Sequence, residues 1–273
     1  MPGPPSWSGP AGSRMAVIRK LSTRSRKSSD PARSLGSMTT LSHLQAPSDL
    51  SEHLRNSPRI EAIDEHGFDL NLAYWNARIG HLPGAPIRGE EGDTTRGRIS
   101  RSSLFSMAEA AGEDETNESA YALFWHSLAW GTGTSHRNTT QRIASIENNI
   151  TGIGNALRHA ALLAPTDPEA AFRTLKPRQP LIKGLGPNFS TKYLYFAGAG
   201  NLHHPCLIVD KRVLTTLSRY TEEPLTPKRG TGYGYGTYSA AIELMADWAR
   251  QSTTQEREVG FDEVERWAFK VGN

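Results

Sequence analysis

The stretch LIKGLGPNFSTKYLYFAGAGNLHHPCLIVDKRVLTTL, from Leu181 to Leu217, decides how this chain of 273 residues is read. It predicts the end of one helix over Leu181 to Gly186, with a tight turn through Gly184, Leu185 and Gly186. Pro187 then opens a second helix, at a position where its missing N–H costs nothing. After Gly198 and Gly200 come the apolar run Cys206, Leu207, Ile208, Val209 and then Asp210. Apolar residues at helical spacing follow at Val213, Leu214 and Leu217, so Asp210 stands where an N-cap stands.

A helix, a Gly-x-Gly turn and a second helix suit a phosphate backbone. Glycine allows close approach, and free N–H groups at the next helix start can donate to phosphate. The four residues Gly184 to Pro187 suit a plain helix–helix turn equally well. Lys192 on the second helix, with Asp210 eighteen residues further on, favours the first reading.

At these residues the chain resembles the helix-hairpin-helix DNA glycosylases, the superfamily of endonuclease III and 8-oxoguanine glycosylase. In that family a Gly-x-Gly hairpin is followed by a helix bearing the catalytic lysine, and a Val-Asp pair after a loop supplies the catalytic aspartate. Gly184-Leu185-Gly186, Lys192 and Val209-Asp210 stand here in that order. The wording GLGPNFSTKYLYF is most similar to a bacterial branch of 8-oxoguanine-glycosylase-fold proteins. A looser likeness in FWHSLAWGTGTSHRNTTQRI extends the match to about Leu104–Asp247. The well-known enzymes carry the lysine two residues after the second glycine, a position held here by Asn188. Lys192 lies one helical turn later on the same face.

The resemblance implies an all-α fold with the hairpin at 181–198, double-stranded DNA as partner, and excision of a modified base such as 8-oxoguanine. It leaves open an AP-lyase step, and service in repair or in defence against modified foreign DNA. It implies Asp210 and Lys192 as catalytic residues, with Lys211 the competing amine. DNA would be held by Lys183, Gly184, Leu185, Gly186, Asn188, Lys211 and Arg212. The loop from Gly131 to Asn138 adds Arg137 and Asn138, because in the family the loop after an early core helix enters DNA beside the lesion. The family's hairpin often holds a monovalent cation through backbone carbonyls, the one cofactor the resemblance allows for.

Composition sets the frame. With 37% apolar residues the chain can bury a real core. No apolar run approaches the roughly 18 residues that cross a bilayer, and MPGPPSWSGP has no apolar signal region. A cytoplasmic monomer with no membrane association is expected. Cys206 is the one cysteine, which excludes an internal disulfide and the four-cysteine iron–sulfur mark of the endonuclease III branch. No metal is assigned, because His203-His204 lacks partners at ligand spacing.

The net charge of +3 is uneven. Residues 1–50 hold seven Lys/Arg against two Asp/Glu and are rich in Pro, Ser and Gly, so they read as a disordered basic tail before a helical domain over 51–273. Met15 and Met38 are alternative starts. Residues 170–230 hold ten Lys/Arg against three acids, which suits a polyanion or a solvated basic surface.

Along the domain, helices are expected after Leu70, over Ile99–Ala111, Ser119–Trp130, Gln141–Asn149 and Gly154–Leu163, and from Pro168 behind the cap Asp167. Others run from Asp210 to about Tyr220, Tyr238–Arg250 and Phe261–Val271. Pro83–Arg98 and the glycine-rich 221–236 read as loops, and the run before Asp210 holds the one strand-like pattern. His126 inside its helix reads as a core histidine. Tyr233, Tyr235, Tyr238, Trp248, Trp125 and Trp130 are candidates for a base pocket, each with core packing as its alternative.

Three functions remain in competition: a DNA glycosylase, a non-catalytic helix-hairpin-helix DNA-binding protein, and an unrelated helical interaction protein. Asp210 as an ordinary cap and Lys192 as a solvated lysine are the plain alternatives to their catalytic roles.

Overall fold

The apolar segment after Asn117 forms α5, Glu118–Thr132, and buries side chains on every face from Ala120 to Trp130. A helix apolar all round belongs inside a domain. Here α3 (Arg101–Phe105), α4 (Ala108–Glu113), α7 (Ile150–Leu163) and α9 (Pro187–Phe196) pack around it. This computed structural model describes residue 3 and residues 44–133, 135–227 and 232–272.

The other helices are α1 (Ser48–Asn56), α2 (Leu72–Ile79), α6 (Thr139–Glu147), α8 (Pro168–Leu175), α10 (Lys211–Leu217), α11 (Tyr235–Ser252) and α12 (Phe261–Val271). A π-helical turn spans Ile60–Asp64. Antiparallel β1 (Gly67–Asn71) and β2 (Arg96–Ser100) pair Gly67 with Ser100 and Asn71 with Arg96. The fold is therefore all-α with one small two-stranded sheet. The second half is a packed layer in which α10 and α11 both lie on α12, closed by edge contacts between Trp248, Trp267 and Tyr220.

Several expectations need correction. No helix precedes the hairpin directly: α8 ends at Leu175, and residues 176–186 run as loop and turn. Pro177 and Pro180 remove the donors that a helix there would need. The apolar run 206–209 is buried but belongs to no strand or helix. Side chains satisfy its backbone instead: Thr191 Oγ1 accepts from Val209 N at 3.2 Å, while Tyr233 and Tyr238 hydroxyls donate to Val209 O at 2.6 Å and Leu207 O at 3.3 Å. The strands lie elsewhere, so Leu70 and Asn71 belong to β1 and the helix begins at Leu72. Ile99 and Ser100 end β2, and the expected helix to Ala111 is broken into α3 and α4 at Ser106-Met107.

The domain boundary at residue 50 falls inside α1. Leu50 is fully buried, and Leu44 O accepts from Trp248 Nε1 at 3.1 Å and from Gln251 Nε2 at 3.0 Å. The rest of the tail, residues 1, 2 and 4–43, lies outside the described residues, as do Thr134, residues 228–231 with Lys228 and Arg229, and residue 273.

Candidate active site

Lys192 is on α9, whose Ser190–Phe196 segment is wholly buried, and is itself only 8% exposed. Helical side chains lean toward the N-terminus of their helix. Its stem does so, and Nζ donates to Asn188 O, one turn back, at 3.1 Å. The amine is thereby returned to the level of Asn188, the position at which the sequence departs from the glycosylase pattern. The stem passes Gly131 on α5: a Cβ there would lie 2.7 Å from Lys192 Cδ.

Asp210 caps α10, its Oδ1 accepting from Arg212 N at 2.9 Å and Val213 N at 3.1 Å. That cap agrees with the apolar spacing that follows it. Both hydrogen bonds use Oδ1, leaving Oδ2 for another partner.

Lys192 and Asp210 line one cavity of about 370 Å³. One wall comes from the strand region and α5: His66, Phe68 and Trp130, with Phe68 and Trp130 ring centroids 5.5 Å apart. From α12, Glu265, Arg266 and Phe269 also line it, and the Arg212 guanidinium lies 4.8 Å from the Phe269 ring. Buried Arg101, also in the lining, donates Nη2 to Glu265 Oε2 at 2.9 Å and Nη1 to the Tyr195 hydroxyl at 2.8 Å. Tyr195 donates onward to Asp262 Oδ2 at 2.8 Å, and Arg59 grips both oxygens of Asp262 at 2.6 and 3.1 Å. This chain of charge-assisted bonds fixes α12 against α3 and α9 and so sets the position of Glu265. Trp130 Nε1, His66 Nδ1 and Arg101 Nε are buried without a partner among the described residues.

Burial drives the electrostatics. It lowers the pKa of Lys192, against the pull of the Asp210 and Glu265 charges, and Arg101 lowers it further. Burial raises Glu265 while Arg101 opposes the shift. Burial also opposes the charge of Arg101, but Tyr195, Glu265 and Asp262 outweigh it and raise its pKa. His66 is pushed down to about 3 by burial and by Arg101, so it is neutral near pH 7.

The cavity adjoins a groove of about 550 Å³ over the hairpin; Gly131, Thr132 and Asn188 line both. Arg137, Asn138, Gly184 and Gly186 line the groove, so five of the residues expected to hold DNA, with Asn188, meet there. Gly184 has φ +76°, which the turn requires and a side chain would strain. Lys183 is exposed beside it, its N–H donating to Ser145 Oγ at 3.1 Å. Arg212 lines the cavity, whereas Lys211 is exposed and lines neither space. Leu185 buries its side chain in the core, and its N–H donates to Ile182 O at 3.2 Å.

A monovalent cation at the hairpin would need the carbonyls of the turn. Two are already taken by side-chain cations: Gly184 O accepts from Arg142 Nε at 3.0 Å and Leu185 O from Lys176 Nζ at 3.4 Å. The donor set does not fit a bound metal ion. Among the described residues no group of three or more His, Cys, Asp or Glu is placed to hold a metal, and no helix is long and apolar enough to cross a membrane.

Of the aromatic candidates only Trp130 lines the cavity. Trp125, Tyr238 and Trp248 are core, and Tyr233 braces the segment before Asp210. His126 is satisfied, Nδ1 bonding Ala122 O at 2.7 Å and Nε2 accepting from Arg88 N at 3.1 Å. Sequence reasoning missed His66, Phe68, Arg101, Glu265, Arg266 and Phe269. For α12 a signal existed: Glu265 and Phe269 share a face by i,i+4 spacing, apart from the apolar stripe of Val264, Trp267 and Ala268. For Arg101 there was none, since only its buried partners distinguish it from a surface arginine.

Comparison with known proteins adds one finding. Residues 61–269 match the family described as "Putative 8-oxoguanine DNA glycosylase OGG-like protein". Comparison with curated proteins and with solved structures gives no match. The match spans the strands, the hairpin, both candidate catalytic residues and α12 as far as Phe269, and the chain belongs to this family of OGG-like proteins.

Proposed function

We propose that this chain removes a modified base such as 8-oxoguanine from double-stranded DNA, with Lys192 as nucleophile and Asp210 as the stabilising carboxylate. The observation that carries the reading is that Lys192 and Asp210, from two different helices, line the same aromatic-walled cavity, which adjoins the hairpin groove. Its volume falls within the range of about 300–1,000 Å³ usual for small-molecule pockets.

The chemistry follows from the groups present. A glycosidic bond is unreachable inside a stacked duplex, so the nucleotide turns out into the cavity while the hairpin groove holds the backbone. Phe68, Trp130 and Phe269 offer faces for stacking. Glu265 uses Oε2 for Arg101, so Oε1 is the oxygen open to the ring N–H and amine donors of a guanine-type base. As the bond from C1′ to the base breaks, its electron pair leaves with the base and positive charge develops on the sugar beside Asp210. The depressed pKa of Lys192 leaves more of its amine neutral, and Nζ forms the new bond to C1′. Loss of the amine proton and opening of the sugar give a Schiff base, from which elimination of the 3′ phosphate cleaves the strand.

The test is a panel of duplexes carrying different modified bases, incubated with the protein and then with alkali. Wild-type protein should yield strand breaks at one class of base, and Asp210→Asn should lose excision by several orders of magnitude while still binding. Binding without excision across the panel would leave a non-catalytic DNA-binding protein.

A further inference from the structure

Two cationic side chains lie under the hairpin with no counter-ion. Arg142 on α6 is 3% exposed, its Nε on Gly184 O and its guanidinium 4.2 Å from the Phe189 ring centroid. Its Nη1 is buried without a partner among the described residues. Lys176, just past α8, is half-buried with Nζ on Leu185 O. Neither forms an ion pair among the described residues, although eight arginine–carboxylate contacts are made elsewhere. Burial alone shifts both, downward in each case, with no neighbouring carboxylate to offset it.

A buried cation without an anion is costly, since desolvation removes more than carbonyl contacts return. Such a charge is tolerable where its anion arrives with a ligand. The groove above offers that place, lined by Arg142 itself with Arg137, Asn138, Gly184, Gly186 and Asn188. Its wall is a turn whose glycine at φ +76° lets another backbone come close. A hairpin carbonyl cannot serve a metal ion and a guanidinium at once without repulsion between the two charges.

We propose that Arg142 and Lys176 are the hairpin's own cations, holding the carbonyls of Gly184 and Leu185, and that Arg142, which lines the groove, lends its uncompensated charge to a DNA phosphate there, so that duplex binding needs no bound monovalent metal ion. The proposal rests on the DNA reading above and concerns how the backbone is gripped, not which base is removed.

Binding of the full chain to a fluorescent duplex carrying a tetrahydrofuran abasic-site analogue, followed by anisotropy, tests it. Titrations in KCl, NaCl and tetramethylammonium chloride at equal ionic strength should give the same Kd within about twofold, because each salt screens phosphate charge alike. Arg142→Gln should weaken binding about tenfold and make the slope of log K against log salt shallower by about one. Because Arg142→Gln could lose the fold, Lys176→Met, at a less buried position, serves as the second variant: it leaves the Leu185 carbonyl without its cation and should weaken binding too. Each variant is checked by thermal melting.

Loss of wild-type binding in tetramethylammonium that potassium restores would overturn the proposal while keeping the DNA reading. Folded variants of both residues with wild-type affinity and slope would also overturn it. Absence of duplex binding by the wild type in every salt would remove the proposal together with the DNA reading.

Discussion

Replacing Gly131 by alanine probes the delivery of Lys192 without changing a polar group. The added Cβ would stand 2.7 Å from Lys192 Cδ, 3.1 Å from its Cε and 3.4 Å from Phe189 Cε1. Carbon atoms settle about 3.5–4.0 Å apart, so the lysine stem must move by about 1 Å. The stem is flexible, and overpacking of this kind costs about 1–3 kcal/mol. Alanine in place of glycine inside a helix returns about 1 kcal/mol. The net loss of about 0–2 kcal/mol lowers the melting temperature by no more than about 8 °C in a domain of this size.

Function is more sensitive than stability. Displacement of the stem takes Nζ from Asn188 O, and a 1 Å misplacement of a reacting group costs about a hundredfold in rate. Single-turnover trapping of the Schiff base with borohydride should therefore fall about a hundredfold in Gly131→Ala. Affinity for an abasic-analogue duplex should hold within about twofold, since phosphate contacts dominate it. Lys192→Gln should lose trapping altogether, and Lys211→Gln should keep it. Trapping at the wild-type rate by a folded Gly131→Ala protein would refute the route of the Lys192 side chain past α5. Trapping lost in Lys211→Gln and kept in Lys192→Gln would make Lys211 the nucleophile.

Further expectations concern pH and the amino-terminal boundary. Burial lowers Lys192, so the neutral fraction grows with pH and the trapping rate should rise to an inflection below the 10.5 of a free lysine; an inflection at or above that value would contradict the buried amine. His66 titrates at about 3 folded against 6.5 unfolded, so the unfolded chain binds the proton first and stability should fall as pH drops from 6.5 toward 3. His66→Gln should flatten that acid limb in melting scans, and an unchanged limb would show that His66 does not hold this environment. A chain starting at residue 51 loses Leu50 and the bonds to Leu44 and Ala46, so it should melt on the order of 10 °C below one starting at residue 44, given about 2–5 kcal/mol for a buried leucine. Equal melting temperatures would show that the packed amino-terminal segment adds nothing.

What could be read directly from the chain was local. The Asp167 and Asp210 caps, the Pro187 helix start and the bounds of α12 each depend on residues within a few positions of one another. The buried character of α5 followed from apolar residues on all its faces. Gly184, Gly186, Lys192 and Asp210 could be placed in order because their spacing survives as a pattern along the chain. The first hairpin helix failed at the sequence level because Pro177 and Pro180 outweighed the short apolar stretch between them and the turn. The strands were missed because the alternation in β1, Phe68-Asp69-Leu70-Asn71, is only four residues long, and of its apolar pair only Leu70 is buried.

The rest was decided by packing. Arg101 and Glu265 lie 164 positions apart, and nothing in either neighbourhood announces a buried pair. His66, Trp130, Lys192, Asp210 and Phe269 become one cavity only when α5, α9, α10 and α12 close on one another. The pKa of Lys192 has the same origin: its own sequence specifies an ordinary lysine, while the loss of water around it is imposed by helices from elsewhere in the chain. Local propensity acts over a few residues, whereas burial and electrostatic coupling act through space, so the motif was legible in the sequence and its chemical environment belongs to the tertiary structure.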